Sequence, residues 1–249
     1  MDYKNKYLKY KQKYINLKTL QKGGVDNIKI NAYVISLQNN QERLTNIQNN
    51  INKLGKIKLN IEKAVFGLNI DISKLKENEG IDDNDVINGD TERRKRELGC
   101  YLSHRNIIEK IKNNDDLKNN YDYTLILEDD FNITTNNIEN NIIEILEKLR
   151  NINITDFDII WFGTNNSNHG KQVIDNIYEV DCSRELWGNH GYLLNNKNIN
   201  KFYSAIKKII DQDIDVVYWK KVCNKELIGY VIFPNLIGIS RLKTTLMHY

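Results

Sequence analysis

The sequence predicts an α/β domain built around a mostly parallel sheet. Three observations predict it. From residue 31 onward, short β-prone apolar runs alternate with segments of helical periodicity. Several of these runs are apolar on consecutive positions, the mark of strands covered on both faces. The run Leu125-Ile126-Leu127 stops abruptly on Glu128, Asp129 and Asp130, as expected of a buried strand that delivers acid to the edge of a sheet, where ligands collect in open α/β folds.

The elements follow in order. Residues 32–37 (AYVISL) read as a buried strand, and Leu44, Ile47, Ile51 and Leu54 then trace one helical face ending at Gly55. A second helix is predicted over 97–112, and a polar loop leads from it into the 125–128 strand. Ile138, Ile142, Leu146 and Leu149 mark a third helix. Residues 158–162 (DIIWF) form another buried strand closed by Gly163. Residues 191–194 read as strand, Ile199, Phe202, Ile206 and Ile209 as helix, and 230–233 as a last strand before Pro234. No internal repeat is present, which excludes a solenoid.

Residues 1–24 stand apart. Tyr3, Tyr7, Tyr10, Tyr14 and Leu17 form one apolar seam on a Lys-rich helix, and Gly23-Gly24 links it to a domain spanning 25–249. The helix is a candidate for docking or self-association into a homo-oligomer. Residues 1–22 hold seven Lys against Asp2, so the rest of the chain carries −3 of the net +3. A slightly acidic body gives no reason to expect a nucleic-acid partner. Charged residues at 28% and hydrophobic ones at 40% fit a soluble globular protein, and no apolar stretch is long enough to span a bilayer. No secretory signal is read. Cys100, Cys182 and Cys223, widely spaced and odd in number, match neither a disulfide framework nor a zinc motif and suggest a reducing compartment.

Glu128 and Asp130 lie two apart, so in an extended segment their side chains share one side while Asp129 faces the other. Such a pair can hold Mn²⁺ or Mg²⁺ and leave positions open for phosphate oxygens. On the 97–112 helix, Gly99, Cys100 and Ser103 form one small face that something must approach closely, with tight packing the plainer reading for the first two. Ser103 and His104 are polar candidates at its end for ligand contact. Arg43, just past the first strand, is placed to clamp a phosphate or a uracil edge, or else to pair with an acid. Arg93-Arg94-Lys95-Arg96 reads as a solvated face. Asp213 and Asp215, beside Val216 and Val217, form a second acidic pair, read either as a general base of raised pKa or as helix N-terminal acids.

Taken in order, YVISL…ERL at 33–44, KAVFG at 63–67, ELGCYLSH at 97–104, LILEDDF at 125–131, DFDIIWFG at 156–163, GNHGYLL at 188–194 and DIDVVY at 213–218 resemble glycosyltransferase family 25. This group includes lipopolysaccharide-type galactosyltransferases and procollagen galactosyltransferases. The resemblance implies a GT-A-type, Rossmann-like fold that binds a nucleotide sugar, UDP-linked, and inverting transfer of a hexose to a hydroxyl of a protein hydroxylysine or a glycan. It implies Glu128 and Asp130 as ligands of Mn²⁺ or Mg²⁺, with Asp129 serving the metal or the ribose. Ser36, Leu37, Arg43, Ala64 and Gly67 would lie near the nucleotide, Ser103 and His104 near the donor sugar or phosphates. Asp215 would be the acceptor base, with Asp130 and His104 completing the catalytic set. His248 is a further candidate for the metal shell. The chain departs from the family at Ala64-Val65-Phe66-Gly67, where an acidic or Asp-Gly ending is commoner. The leader's KYLKYKQKY…LK…GG pattern also resembles that of many giant-virus proteins, implying a viral origin and a place in host cytoplasm or virion.

Two other readings compete. Asp130-Phe131-Asn132-Ile133-Thr134 approaches the Asp-x-Asp-x-Thr of haloacid-dehalogenase-type phosphatases but has Asn132 where an acid belongs. A catalytically dead glycan-binding or virion protein is the other, against which Glu128 and Asp130 stand intact.

Overall fold

The computed structural model describes residues 28–79, 92–165, 168–209, 212–240 and 242. The expected leader helix and His248 lie outside them. Strand β1 (Ile30–Ser36) is buried along its whole length and leads into helix α1 (Gln41–Ile51), whose N-cap Asn40 accepts the Arg43 N–H. Strand β2 (Lys58–Lys63) and helices α2 (Ile72–Glu79), α3 (Glu92–Asn113) and α4 (Asp115–Asn120) precede strands β3 (Tyr123–Glu128) and β4 (Phe131–Ile133). Helix α5 (Ile138–Asn151), strands β5 (Ile159–Gly163), β6 (Gln172–Ile174), β7 (Ile177–Glu179) and β8 (Gly191–Asn195), helices α6 (Ile199–Ile206) and α7 (Ile214–Cys223), and strands β9 (Gly229–Ile232) and β10 (Ile237–Ile239) complete the order.

Eight strands form one sheet in the order β2-β1-β3-β8-β5-β9-β7-β6, and β4 pairs β10 separately. β1 runs parallel to β2 and β3, and β5 parallel to β9; β8 is antiparallel to both β3 and β5, and β7 to both β6 and β9. Only β8 and β7 therefore oppose the common direction, in agreement with the expected mostly parallel sheet.

Side-chain alternation divides the core between the two sheet faces. Tyr33, Ile35, Ile126, Ile159 and Trp161 pack with α3, α6 and α7 on one face. Ala32, Val34, Leu125, Leu127, Ile160 and Phe162 pack with α1 and α5 on the other. Burial on both faces is what the consecutive apolar positions required.

Several expectations change. Helix α3 begins at Glu92, one turn and more before Glu97, and Arg93 and Arg94 support this first turn by donating forward to the Glu97 carboxylate at 2.9 and 2.5 Å. β2 is an edge strand with partly exposed polar residues, so hydrophobic patterning does not reveal it. Leu37 falls just past the end of β1. The reading of three unbridged thiols is corrected: Cys182 and Cys223 form a disulfide across 41 residues, and Cys100 alone is free. Only the packing of the 181–188 segment on α7 brings the pair together, so the case for a reducing compartment loses its basis. Trp219 reinforces that packing with an Nε1–H bond to the Asp181 carbonyl at 3.0 Å.

Candidate functional site

The site forms where β8 enters the sheet against its neighbours. Because β8 is antiparallel, its first residue Gly191 lies opposite Leu127 of β3 and Gly163 of β5. His190 therefore arrives beside Glu128 at the strand end, and the Glu128 N–H points at the His190 carbonyl, 3.4 Å away. His104 approaches Glu128 from α3. Its Nε2 stands 3.4 Å from one carboxylate oxygen, and His190 Nδ1 3.5 Å from the other. Neither distance is that of a well-formed hydrogen bond.

Three ligand-type atoms, His104 Nε2, Asp130 Oδ1 and His190 Nδ1, are buried with no hydrogen-bond partner among the described residues. Leaving such atoms unsatisfied costs about 1–3 kcal/mol each, so their convergence on Glu128 needs a cause. Ligand atoms of Glu128, Asp130 and His190 lie within 4.8 Å of one another, as do those of Cys100, His104 and Glu128. Either group could hold a divalent cation. The first suits Mn²⁺ or Mg²⁺, since two of its three donors are hard carboxylates. Burial pushes the Cys100 thiol up, which keeps it protonated and a poor ligand. Glu128 keeps 27% of its side chain open to solvent, enough for a ligand to reach the cluster.

Burial alone would raise the Glu128 carboxyl, yet the two facing imidazoles outweigh it and hold it below the usual carboxylate range. Burial and the neighbouring Glu128 charge push Asp130 up to about 6 despite Arg43. Burial opposes protonation of His190, but Glu128 more than compensates and its pKa is raised. Asn165 Oδ1 lies 2.7 Å from His190 Nε2. As acceptor it holds the Nε2 proton and orients the ring so that Nδ1 faces the Glu128 carboxylate.

The other predicted residues divide. Asp129 pairs with Arg43, which also reaches Asp130 at 3.4 Å. Burial keeps the Asp129 carboxyl raised even against Arg43, and Ser36 also bonds it. Arg43 thus spans two acids of the triplet. Ala64 joins this edge through its N–H to the Ser36 carbonyl at 2.8 Å, with Leu37 half-buried beside it. Ser103 donates to the Gly99 carbonyl at 2.6 Å and accepts the Val65 N–H at 2.8 Å. It anchors the 64–67 segment on α3. A Cβ at Gly99 would meet Val65 O at 2.7 Å and Gly67 Cα at 2.8 Å, so that segment is what approaches the small face. His104 is fully buried, its Nδ1 2.8 Å from the Tyr192 hydroxyl, which in turn lies 3.3 Å from that of Tyr218.

Asp215 sits in the first turn of α7, as its position after Asp213 suggested. Its two oxygens accept the N–H of Gly188 at 2.6 Å and of Val216 at 2.8 Å. Burial nevertheless pushes it up to about 6, with the charges of Asp213 and Glu128 adding to the rise. The strip Trp187-Gly188-Asn189-His190 joins the two halves of the site. Gly188 holds Asp215, Asn189 accepts the Trp161 Nε1–H at 2.9 Å, and His190 faces Glu128.

The sequence profile of glycosyltransferase family 25 (LPS biosynthesis protein) matches residues 29–218. This chain belongs to glycosyltransferase family 25. It is a glycosyltransferase, and the family implies a sugar donor and an acceptor. The phosphatase reading of 130–134 falls with that assignment. No curated protein sequence matches the transferase significantly. Among solved structures, A197 from STIV is 10% identical over 89% of this chain and 99% of its own, at a TM-score of 0.36. Mouse xyloside xylosyltransferase 1, in its apo form, is 11% identical over 82% and 84%, at 0.41. Mannose-1-phosphate geranyltransferase from Thermus thermophilus is 9% identical over 82% and 74%, at 0.33.

His190 is the site residue that the sequence reading passes over. Its one signal is a histidine directly before an apolar run, which gains meaning only once that run is known to enter antiparallel to the strand ending in Glu128. Gly188 has φ +87°, and a Cβ there would lie 2.9 Å from both Asn165 Nδ2 and His190 Nε2. Gly188→Ala is expected to cost about 1–3 kcal/mol in denaturant unfolding and to displace both Asp215 and His190.

Proposed function

We propose that this chain is a metal-dependent glycosyltransferase that moves a hexose from a UDP-sugar to a hydroxyl acceptor, a protein side chain or a glycan, with inversion. The observation that carries the metal is the set of three unpartnered buried atoms gathered around the half-open Glu128. Glu128, Asp130 and His190 would hold Mn²⁺ or Mg²⁺. A cation bound there supplies positive charge against the leaving diphosphate. Arg43 keeps Asp129 and Asp130 in place and lies with Ser36, Leu37 and Ala64 at the edge the nucleotide would occupy. His104, fixed by Tyr192, backs Glu128 from the α3 side.

Asp215 acts as the base. Its carboxylate keeps lone pairs beyond those given to Gly188 and Val216, and its raised pKa makes it a stronger proton acceptor than an ordinary aspartate. In the reaction the acceptor oxygen bonds to the anomeric carbon, the bond from that carbon to the diphosphate breaks, and the hydroxyl proton passes to Asp215. UDP leaves with its electron pair.

The test is UDP release from UDP-glucose, UDP-galactose, UDP-GlcNAc and UDP-xylose with Mn²⁺, and again after chelation. Turnover that chelation stops, with inverted product, supports the reading. Phosphate release from phosphomonoesters, or no reaction with any donor, sinks it. No described helix is long and apolar enough to cross a membrane. The Lys- and Tyr-rich leader supports a viral setting, in host cytoplasm or virion, and a role in self-association. Removal of residues 1–24 is expected to leave turnover unchanged and to alter the oligomeric state in size-exclusion chromatography.

A further inference from the structure

The Glu128 carboxylate has two sides, and the group it forms with Asp130 and His190 takes up one of them. Its Oε2 lies 3.5 Å from His190 Nδ1, and its Oε1 3.4 Å from His104 Nε2. The Oε1 side has a further donor. Cys100 stands one helical turn before His104 on α3, and residues four apart share a helix face. Ligand atoms of Cys100, His104 and Glu128 all lie within 4.8 Å of one another.

These donors suit a different ion from the one beside His190. Sulfur, imidazole nitrogen and carboxylate oxygen are all zinc ligands, and three of them with an open fourth position make an accessible zinc site. In a tetrahedron with bonds of about 2.0–2.1 Å, nitrogen and oxygen ligands stand about 3.3–3.4 Å apart. The separation of His104 Nε2 and Glu128 Oε1 matches that edge. His104 is fully buried, and its Nε2, aimed at Glu128, has no hydrogen-bond partner among the described residues. Its Nδ1 lies 2.8 Å from the Tyr192 hydroxyl, itself 3.3 Å from that of Tyr218. A proton on Nδ1, donated to Tyr192, leaves the Nε2 lone pair for a metal, as the outer partners of ligating histidines do. Burial holds the Cys100 proton in place against a hard ion such as Mn²⁺. A thiophilic ion displaces it: the proton passes to solvent water as the sulfur–metal bond forms.

We propose that Cys100, His104 and Glu128 form a second cation site that takes Zn²⁺, and that zinc bound there inhibits the enzyme by drawing the Glu128 charge away from the Mn²⁺ side. The inhibition, though not the site, rests on the transferase reading above.

The experiment uses the full chain without reductant, and Co²⁺ as a spectroscopic stand-in for zinc. The chain has three cysteines, of which Cys182 and Cys223 are joined, so a thiolate-to-cobalt charge-transfer band reports on Cys100 alone. The band is expected to grow as Co²⁺ is added, to vanish when Zn²⁺ follows, and to be missing in Cys100→Ala. Calorimetric titration of Cys100→Ala should show unchanged Mn²⁺ affinity. Its Zn²⁺ affinity should fall by more than the roughly 10- to 100-fold that loss of an outer-shell partner costs. In UDP release with Mn²⁺, Zn²⁺ should inhibit the wild type, and Cys100→Ala should need a correspondingly higher concentration. No cobalt–thiolate band in the wild type overturns the site, as does equal Zn²⁺ affinity in the two proteins. Equal inhibition of both, with the band present, overturns the inhibitory role, since zinc would then act by replacing Mn²⁺ beside His190. If no UDP-sugar reacts while the band is present, the transferase reading fails and the site stands. The coupling is then read by titrating Mn²⁺ with and without one equivalent of Zn²⁺: a lower Mn²⁺ affinity in the wild type alone supports it, and equal affinities overturn it.

Discussion

Asp130→Ala is expected to abolish sugar transfer and to weaken Mn²⁺-dependent UDP binding by about a hundredfold or more. The expectation follows from what Asp130 does and does not hold. Its Oδ1 has no hydrogen-bond partner among the described residues, and burial together with the Glu128 charge beside it pushes its pKa up to about 6. Removing the carboxylate relieves that repulsion, while Arg43 keeps its closer partner Asp129. The fold should therefore survive, with a melting temperature equal to or above that of the wild type. Calorimetric titration with Mn²⁺ alone separates binding from catalysis. His190→Ala should weaken the metal about 10- to 100-fold, since Glu128 and Asp130 would remain. Wild-type Mn²⁺ affinity in Asp130→Ala would remove the cluster from the metal assignment.

Much of this frame is legible in the sequence, and the exceptions share one physical reason. Alternation within a strand is local, so the assignment of Tyr33 and Ile35 to one face and Ala32 and Val34 to the other can be read from residue order. The period stops at Glu128, however: Asp129 and Asp130 lie in the turn after β3, and both meet Arg43. Strand direction is not local. Nothing in GNHGYLL states that β8 runs against β3, and on that one fact depends the meeting of His190 with Glu128. The Cys182–Cys223 bridge is hidden in the same way, because it forms only when the 181–188 segment folds onto α7. Ser103 shows the opposite case. Its place at the end of a small helical face suggested a ligand, but the Val65 N–H claims it. A polar side chain can satisfy a loop as readily as a substrate, and only the folded chain decides which. The edge strand β2, half polar, carries too little hydrophobic pattern to be seen at all.

Asp215→Asn is expected to retain Mn²⁺-dependent UDP binding and to lose transfer by about 10²–10⁴-fold, the signature of a missing base. The amide preserves the shape of the side chain and can still accept one of the two N–H groups that Asp215 now serves, so the variant should fold. The wild-type pH profile tests the same assignment. Burial pushes Asp215 up to about 6, and only its ionised form can take the acceptor proton. On the acid side, kcat should fall about tenfold per pH unit below 6, and that limb should vanish in the residual activity of Asp215→Asn. Stability must move the other way. The folded pKa lies above the unfolded value, so ionised Asp215 costs the native state free energy above about pH 6, and the cost is relieved as pH falls from there toward 4. For an isolated group the difference amounts to about 3 kcal/mol, an upper bound because other carboxylates titrate in the same range. Chemical denaturation at pH 5 and pH 7.5 should therefore show a smaller pH dependence in Asp215→Asn than in the wild type. An identical acid limb in both proteins would remove Asp215 from the chemistry and leave it as the acid that fastens Gly188 to the start of α7.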